Sequence, residues 1–322
     1  MRIDVHSHFY PPKYVEAIRR FDAEKGSKIT GVNFSLWNST EERIAWMDAA
    51  GIDVAVLSLS APNVYFEDHA LSLELAQMTN DFVSEIVRKH PDRFVGMASL
   101  PLGNINATLS ELRRCVSELG LRGVVVGSNI NGSYPDTLEL EPLFAEIEQL
   151  RQPIFIHPMV PAGCGQRVDD YKLVAILYLP FDTTICVTRM IYAGVFERYP
   201  SLEMILPHLG GTLPFLSTRI DLGAKSYREC REHLSKPPCD YLKRFYYDTA
   251  VSYGRPPLAC TEELVGTEQI IFGSDYPFQR NAAETIAGVE ALRLAPEVQE
   301  RIFSGNARKL FQAGIEQIMS EH

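Results

Sequence analysis

The chain contains no Cys-x-x-Cys pair, no lysine- or arginine-rich run, no apolar stretch approaching the ~18 residues of a membrane span, and no internal repeat or low-complexity tract. Each absence excludes something. Six cysteines (Cys115, Cys164, Cys186, Cys230, Cys239 and Cys260) are too sparse over 322 residues for a disulfide framework. They read as reduced thiols of a cytosolic enzyme, with Cys115 on an apolar helical stripe and expected in the core. A formal charge of −10 without a basic run speaks against nucleic acid and anionic membrane as partners. No charged-then-apolar leader precedes Asp4, so a cytoplasmic protein is expected. With no linker-like segment, residues 1–322 are expected to form one domain.

What is present is a repeated alternation. A 46% hydrophobic content supports a large core. Short apolar runs suited to buried strands occur at Arg2–Val5, Val54–Leu59, Phe94–Ser99, Gly123–Val126, Pro153–Ile156, Leu202–Leu206, Phe245–Tyr247 and Gln269–Phe272. Between them lie amphipathic helical stripes, such as Leu71, Leu75, Met78, Phe82 and Ile86, or Leu109, Leu112, Val116 and Leu119. Another helix is expected from Asp182 to Tyr199, carrying Ile185, Met190 and Phe196. Ser39 and Glu42 form a capping-box signature for the helix that Gly51 ends. Eight strands alternating with helices imply an α/β fold, a (β/α)8 TIM barrel. One segment, about 11–37, breaks the rhythm and reads as a small insertion over the barrel mouth after the first strand.

The chemistry-bearing residues fall just after these strands. Asp4-Val5-His6-Ser7-His8 places two imidazoles on one side of extended chain, the geometry of a metal-binding pair. His157 follows the fifth strand, His208 the sixth, Asp248 the seventh and Asp275 the eighth. Residues at strand C-termini gather at the mouth of a barrel. Plainer readings exist: His157-Pro158 as a strand terminator, His208 before Gly210-Gly211 as a turn residue, Asp275 as a helix cap. Yet four of the eight histidines occupy these few positions, which favours metal ligation for His6, His8, Asp275 and His157. Asp248 is read either as part of that set or as a group orienting a neighbour. Tyr276, Phe278 and Trp37 are candidate apolar walls.

These residues sit in motifs that run nearly end to end: Asp4-Val5-His6-Ser7-His8-Phe9, Met47-Asp48-Ala49-Ala50-Gly51-Ile52-Asp53, Pro91-Asp92-Arg93-Phe94, Ile156-His157-Pro158, Gly194-Val195-Phe196-Glu197-Arg198-Tyr199-Pro200, His208-Leu209-Gly210-Gly211, Phe272-Gly273-Ser274-Asp275-Tyr276-Pro277 and Gly305-Asn306-Ala307. In them the chain resembles the amidohydrolase superfamily, in the branch of aminocarboxymuconate-semialdehyde decarboxylase and the aromatic-acid decarboxylases. The resemblance implies one divalent ion held by His6, His8, His157 and Asp275, with zinc expected first and manganese as the alternative. It implies His208 as the acid/base histidine, with Asp275 also catalytic, and a homodimer in which Arg219 reaches a substrate carboxylate in the neighbouring subunit. A helix-surface role is the other reading of Arg219. The segment Gly31-Val32-Asn33-Phe34-Ser35-Leu36-Trp37 lacks the second carboxylate-binding arginine of the semialdehyde decarboxylase. An aromatic or other unsaturated mono-acid therefore suits the chain better, and a metal-dependent, non-oxidative decarboxylase acting on a small-molecule carboxylic acid is expected. The rivals are hydrolysis of an ester, lactone or amide by metal-bound hydroxide, a related hydratase, and a barrel that binds without catalysis.

Overall fold

The computed structural model describes residues 1–25, 39–160, 170–279, 281–311 and 315. Among the described residues, nine short strands follow one another: β1 (Ile3–Phe9), β2 (Val54–Leu59), β3 (Phe94–Gly96), β4 (Ala98–Ser99), β5 (Val124–Gly127), β6 (Ile154–His157), β7 (Met204–Leu206), β8 (Tyr246–Asp248) and β9 (Ile270–Ile271). All the strand pairings are parallel and join sequence neighbours. β3 and β4 are the two halves of the third expected strand, interrupted at Met97. The Met97 N–H still bonds back to the Leu57 carbonyl at 2.9 Å, while the Ala98 N–H turns forward to Gly123 at 3.0 Å. The ring closes where the Val5 N–H meets the Phe272 carbonyl at 3.0 Å and the His8 N–H meets that of Tyr276 at 2.7 Å. The architecture is the expected (β/α)8 barrel.

A strand turns alternate side chains to opposite faces, and here both faces are buried, which is why the strands read as unbroken apolar runs. One parity (Ile3, Val5, Val54, Val56, Met97, Val125, Phe155, Ile205 and Ile271) fills the barrel interior, with Leu310, Phe311 and Ile315 against it. The other parity (Ala55, Leu57, Val124, Val126, Ile154, Ile156, Met204, Leu206) packs under the helices, with buried Cys115 among them. Two residues beyond the inner apolar layer come Ser58, Gly127, His157 and Gly273. A polar ring thus stands on a dry plug at the C-terminal mouth.

The helices follow their local signals. Ser39 and Glu42 form the capping box, and Gly51 ends that helix in the left-handed region at φ 68°. Within the segment expected as an insertion, Pro12–Lys25 is a helix that buries Tyr14 and Ile18. The remainder of that segment, with Trp37 and the Gly31–Trp37 stretch, and also Cys164, lies outside the described residues.

The expected helix Asp182–Tyr199 is corrected. Helix begins earlier, at Val174, and stops at Tyr192, because Gly194 turns left-handed at φ 71° and Phe196 belongs to the separate turn Val195–Arg198. Residues Val174–Tyr192 are long and apolar enough to cross a membrane, which reading for unbroken apolar runs passed over because polar residues interrupt them. One face packs on the barrel and buries Asp182, whose carboxylate accepts from Asn129 at 2.8 Å, Tyr134 at 3.0 Å and Ser128. The other face leaves Ile176, Leu177, Phe181 and Ile185 exposed, so Ile185 is not the core residue its spacing suggested.

Candidate metal centre and active site

Simple alternation would not build this site. Val5 points into the barrel, so its neighbour His6 should point out. Pairing with β2 slips by one residue, Asp4 opposite Ala55 but Ser7 opposite Leu57, so that Val5 and His6 together face Val56. This β-bulge resets the parity and turns both His6 and His8 inward. The bulge has its own staple: Asp4 Oδ1 accepts the N–H groups of His6 at 3.1 Å and Ser274 at 2.9 Å, and Oδ2 accepts the Ser274 hydroxyl at 2.5 Å. Burial pushes the Asp4 carboxyl up to about 6, against the pull of those hydrogen bonds. Gly273 is required beside it, since a Cβ there would lie 2.8 Å from the Cβ of His6.

Four donor atoms converge. His6 Nε2 lies 2.9 Å from His8 Nε2, and His8 Nε2 lies 3.2 Å from His157 Nε2. Asp275 Oδ1 is 3.3 Å from His6 Nε2 and 3.2 Å from His8 Nε2. Each histidine has its other nitrogen engaged: His6 Nδ1 with Asp248 Oδ2 at 3.0 Å, His8 Nδ1 with Ser58 Oγ at 3.0 Å, and His157 Nδ1 with the Pro158 carbonyl at 3.0 Å. Proton donation from Nδ1 leaves a lone pair on every Nε2. Lone pairs this close repel unless a cation lies among them. Two donors each about 2.1 Å from one ion would stand about 3.0–3.4 Å apart, which matches the spacing. The residues therefore fit one divalent ion.

The electrostatics agree. Burial drives the His8 imidazole down to about 4, reinforced by charge on His6 and opposed by Asp275. His157 is held well below the usual histidine range by burial and the neighbouring histidines. Both are neutral at neutral pH, the form in which an imidazole can bind a metal. Burial alone would lower His6 too, but the Asp248 and Asp275 carboxylates push it up to about 10. Asp275 stays ionised: burial disfavours its charge, but charge on His6 and the surrounding imidazoles hold it well below the carboxylate range.

His208 stands beside His6 and Asp275, its ring 5.2 Å from that of His6 and its Nε2 3.9 Å from Asp275 Oδ2. Its backbone has φ 55°, the next residue Leu209 has φ 53°, and Asp275 has φ 63°. Left-handed backbone at non-glycine residues is strained and collects at functional sites. Gly210 lets the turn close, since a Cβ there would meet the Tyr247 ring at 2.6 Å. His208 Nδ1 is buried with no hydrogen-bond partner among the described residues. Asp248 takes the orienting role of its two readings. Besides holding His6, its Oδ1 accepts the N–H of His208 at 3.0 Å and of Ala250 at 2.9 Å.

Other expectations divide. Phe278 stands beside the cluster, its ring 5.7 Å from that of His8. Tyr276 is not a wall: it is buried beneath the site, 3.9 Å from the Trp46 ring and 4.4 Å from the Arg43 guanidinium. Arg219 is exposed on the helix Leu213–Ser226. Residue reading missed Ser58, Ser60, Asp4 and Arg43. Ser58 carried a signal, lying two residues beyond inward Val56. Ser60, whose hydroxyl is 3.2 Å from His157 Nε2, lies past its strand and carried none.

The amidohydrolase family model matches residues 3–313. The 2-amino-3-carboxymuconate-6-semialdehyde decarboxylase of Dictyostelium discoideum is 30% identical over 330 residues, covering 95% of this chain and 90% of its own. The gamma-resorcylate decarboxylase of a Rhizobium species is 29% identical, covering 97% and 98%. The 5-carboxyvanillate decarboxylase of Novosphingobium aromaticivorans, solved with manganese and 4-hydroxy-3-methoxy-5-nitrobenzoic acid, superposes with a TM-score of 0.90 at 26% identity, over 97% and 96% of the two chains. With this match along its length, the chain belongs to the amidohydrolase family.

Proposed function

We propose that the protein is a metal-dependent, non-oxidative decarboxylase of a hydroxylated benzoate-like or related unsaturated carboxylic acid, acting as one domain. The observation that carries this is the clustering of His6, His8 and His157, and of His6, His208 and Asp275, each set with its ligand atoms within 4.8 Å of one another. Those four residues would hold the ion, zinc by the nitrogen-rich donor set or manganese as in the carboxyvanillate enzyme. A bound divalent ion supplies Lewis acidity that draws charge from a substrate oxygen.

The remaining work falls to side chains. His208 Nε2, beside Asp275, delivers a proton to the carbon bearing the carboxylate. The carbon–carbon bond then breaks, its electron pair returns to the ring, and carbon dioxide leaves. Asp275, ionised and facing both His208 and the ligand histidines, stabilises positive charge on the imidazole before transfer. Asp248 fixes the His208 backbone and the His6 tautomer. Phe278 offers an apolar face to an aromatic ring.

Arg219 belongs to a second element of the proposal, a homodimer. It projects between exposed Phe215 and Leu222, and the neighbouring helix adds Phe181 and Ile185. A contiguous apolar face carrying a cation suits a self-complementary two-fold contact, from which Arg219 can approach the partner's substrate carboxylate.

The test of the acid/base assignment is His208→Asn. It should retain metal and lose about 10²–10⁴-fold in turnover. Loss of the metal in that variant would make His208 a ligand instead.

A further inference from the structure

We infer that Arg43 is a positioning residue for the metal centre, gripping the barrel seam that carries three of the four ligands. This rests on the metal reading above and deepens it.

Arg43 lies one turn into the helix Thr40–Ala50, facing inward with Met47, and is only 1% exposed. Burying a guanidinium is costly unless its donors are used. Here one terminal nitrogen donates to the Ser7 hydroxyl and the other to the His8 carbonyl. Its face lies 4.4 Å over the Tyr276 ring. Burial draws its pKa down to about 10, opposed by Tyr276 and Asp4, so it remains charged at neutral pH.

The position of these contacts is what matters. Ser7 separates ligands His6 and His8, and Tyr276 follows ligand Asp275. The closing seam is thin: β9 spans only Ile270–Ile271, and beyond it the chain meets β1 through the Ser7–Tyr276 bridge and a few backbone bonds. Asp4 staples His6 to Ser274, and Arg43 clamps the next step, Ser7 and His8 against Tyr276. Relaxing that clamp lets the bulged tip of β1 slide relative to Asp275 and spreads the donors. A planar fork that also stacks is required, and lysine reproduces only part of it.

The experiment is a titration of metal-free parent, Arg43→Lys and Arg43→Met with zinc and with manganese against a chromophoric chelator, with thermal melts in chelator alongside. Arg43→Met should bind either ion about 10–100-fold more weakly while folded, the range for losing a group that orients metal ligands. Arg43→Lys should recover part of the loss. Affinity in folded Arg43→Met equal to the parent's overturns the inference, as does an Arg43→Lys variant no better than Arg43→Met. Should Arg43→Met not fold, Tyr276→Leu, which removes the stacking face and keeps the arginine, replaces it: weaker binding supports the clamp, and parental binding overturns it. A parent that binds neither ion removes the metal reading and this inference together, whereas a parent and variants that bind alike remove only the inference.

Discussion

Replacing Asp248 separates two jobs that one carboxylate performs. Oδ2 accepts from His6 Nδ1 at 3.0 Å, and Oδ1 accepts the N–H groups of His208 and Ala250 at 3.0 and 2.9 Å. In Asp248→Asn the amide oxygen can keep the two backbone donors, leaving the NH₂ to face His6. A donor there forces His6 Nδ1 to accept and moves its proton to Nε2, where the ligand lone pair is needed. Loss of such an orienting partner costs about 10–100-fold in metal affinity, equivalent to about 1.4–2.7 kcal/mol. Both replacements also lose the charge that holds a proton on His6, but Asp248→Asn keeps the buried backbone donors satisfied. Asp248→Ala orphans both, at about 1–3 kcal/mol each, and should lower the melting temperature of metal-free protein well below that of Asp248→Asn. Competitive chelator titration and melts in excess chelator read the two effects separately. Parental metal affinity in Asp248→Asn, or equal destabilisation by Asn and Ala, would refute the reasoning.

Metal binding at pH 8 should release about one proton, because the metal-free cluster stores one on His6, raised to about 10. Calorimetry in buffers of different ionisation enthalpy checks this, and an enthalpy independent of buffer would contradict it. By linkage, that His6 proton stabilises metal-free protein fully below about pH 6.5, the ordinary histidine value. The contribution fades as pH rises through about 10, so the metal-free melting temperature should fall over that range. Chelation should abolish turnover and leave the barrel folded by circular dichroism. Phe215→Glu on the exposed face should shift sedimentation from dimer to monomer, and Arg219→Ala should raise KM for acidic substrates while the dimer persists. A fully active monomeric parent would discard that part of the proposal.

The elements that carry the site were legible because both strand faces are buried: runs such as Val54–Leu59 and Ile154–Ile156 announce themselves without context. Placing His6, His8, His157, Asp248 and Asp275 directly after or within strands then brought them to one mouth by topology alone. The break at Met97 was not legible, since backbone partners on two neighbouring strands decide it. Nor was the bulge at Val5-His6, which depends on the Asp4 carboxylate meeting Ser274 from the far end of the chain. Arg43 and Asp4 escaped for the same reason. A buried charge in an amphipathic helix or a strand has the composition of a surface residue, and only the seam reveals its partners. Arg219 was legible as a residue but not as a contact, because its proposed partner is another copy of the chain.

The central claim is that the metal centre and His208 release carbon dioxide and protonate the carbon left behind. The direct measurement is turnover of a panel of hydroxylated benzoates and of esters and lactones by zinc- and manganese-loaded protein in heavy water, with carbon dioxide and deuterium position both followed. Decarboxylation predicts carbon dioxide from at least one acid, and deuterium at the carbon that bore the carboxylate. Cleavage of an ester or lactone, with solvent oxygen entering the product and no carbon dioxide from any acid, would contradict it and make the protein a hydrolase.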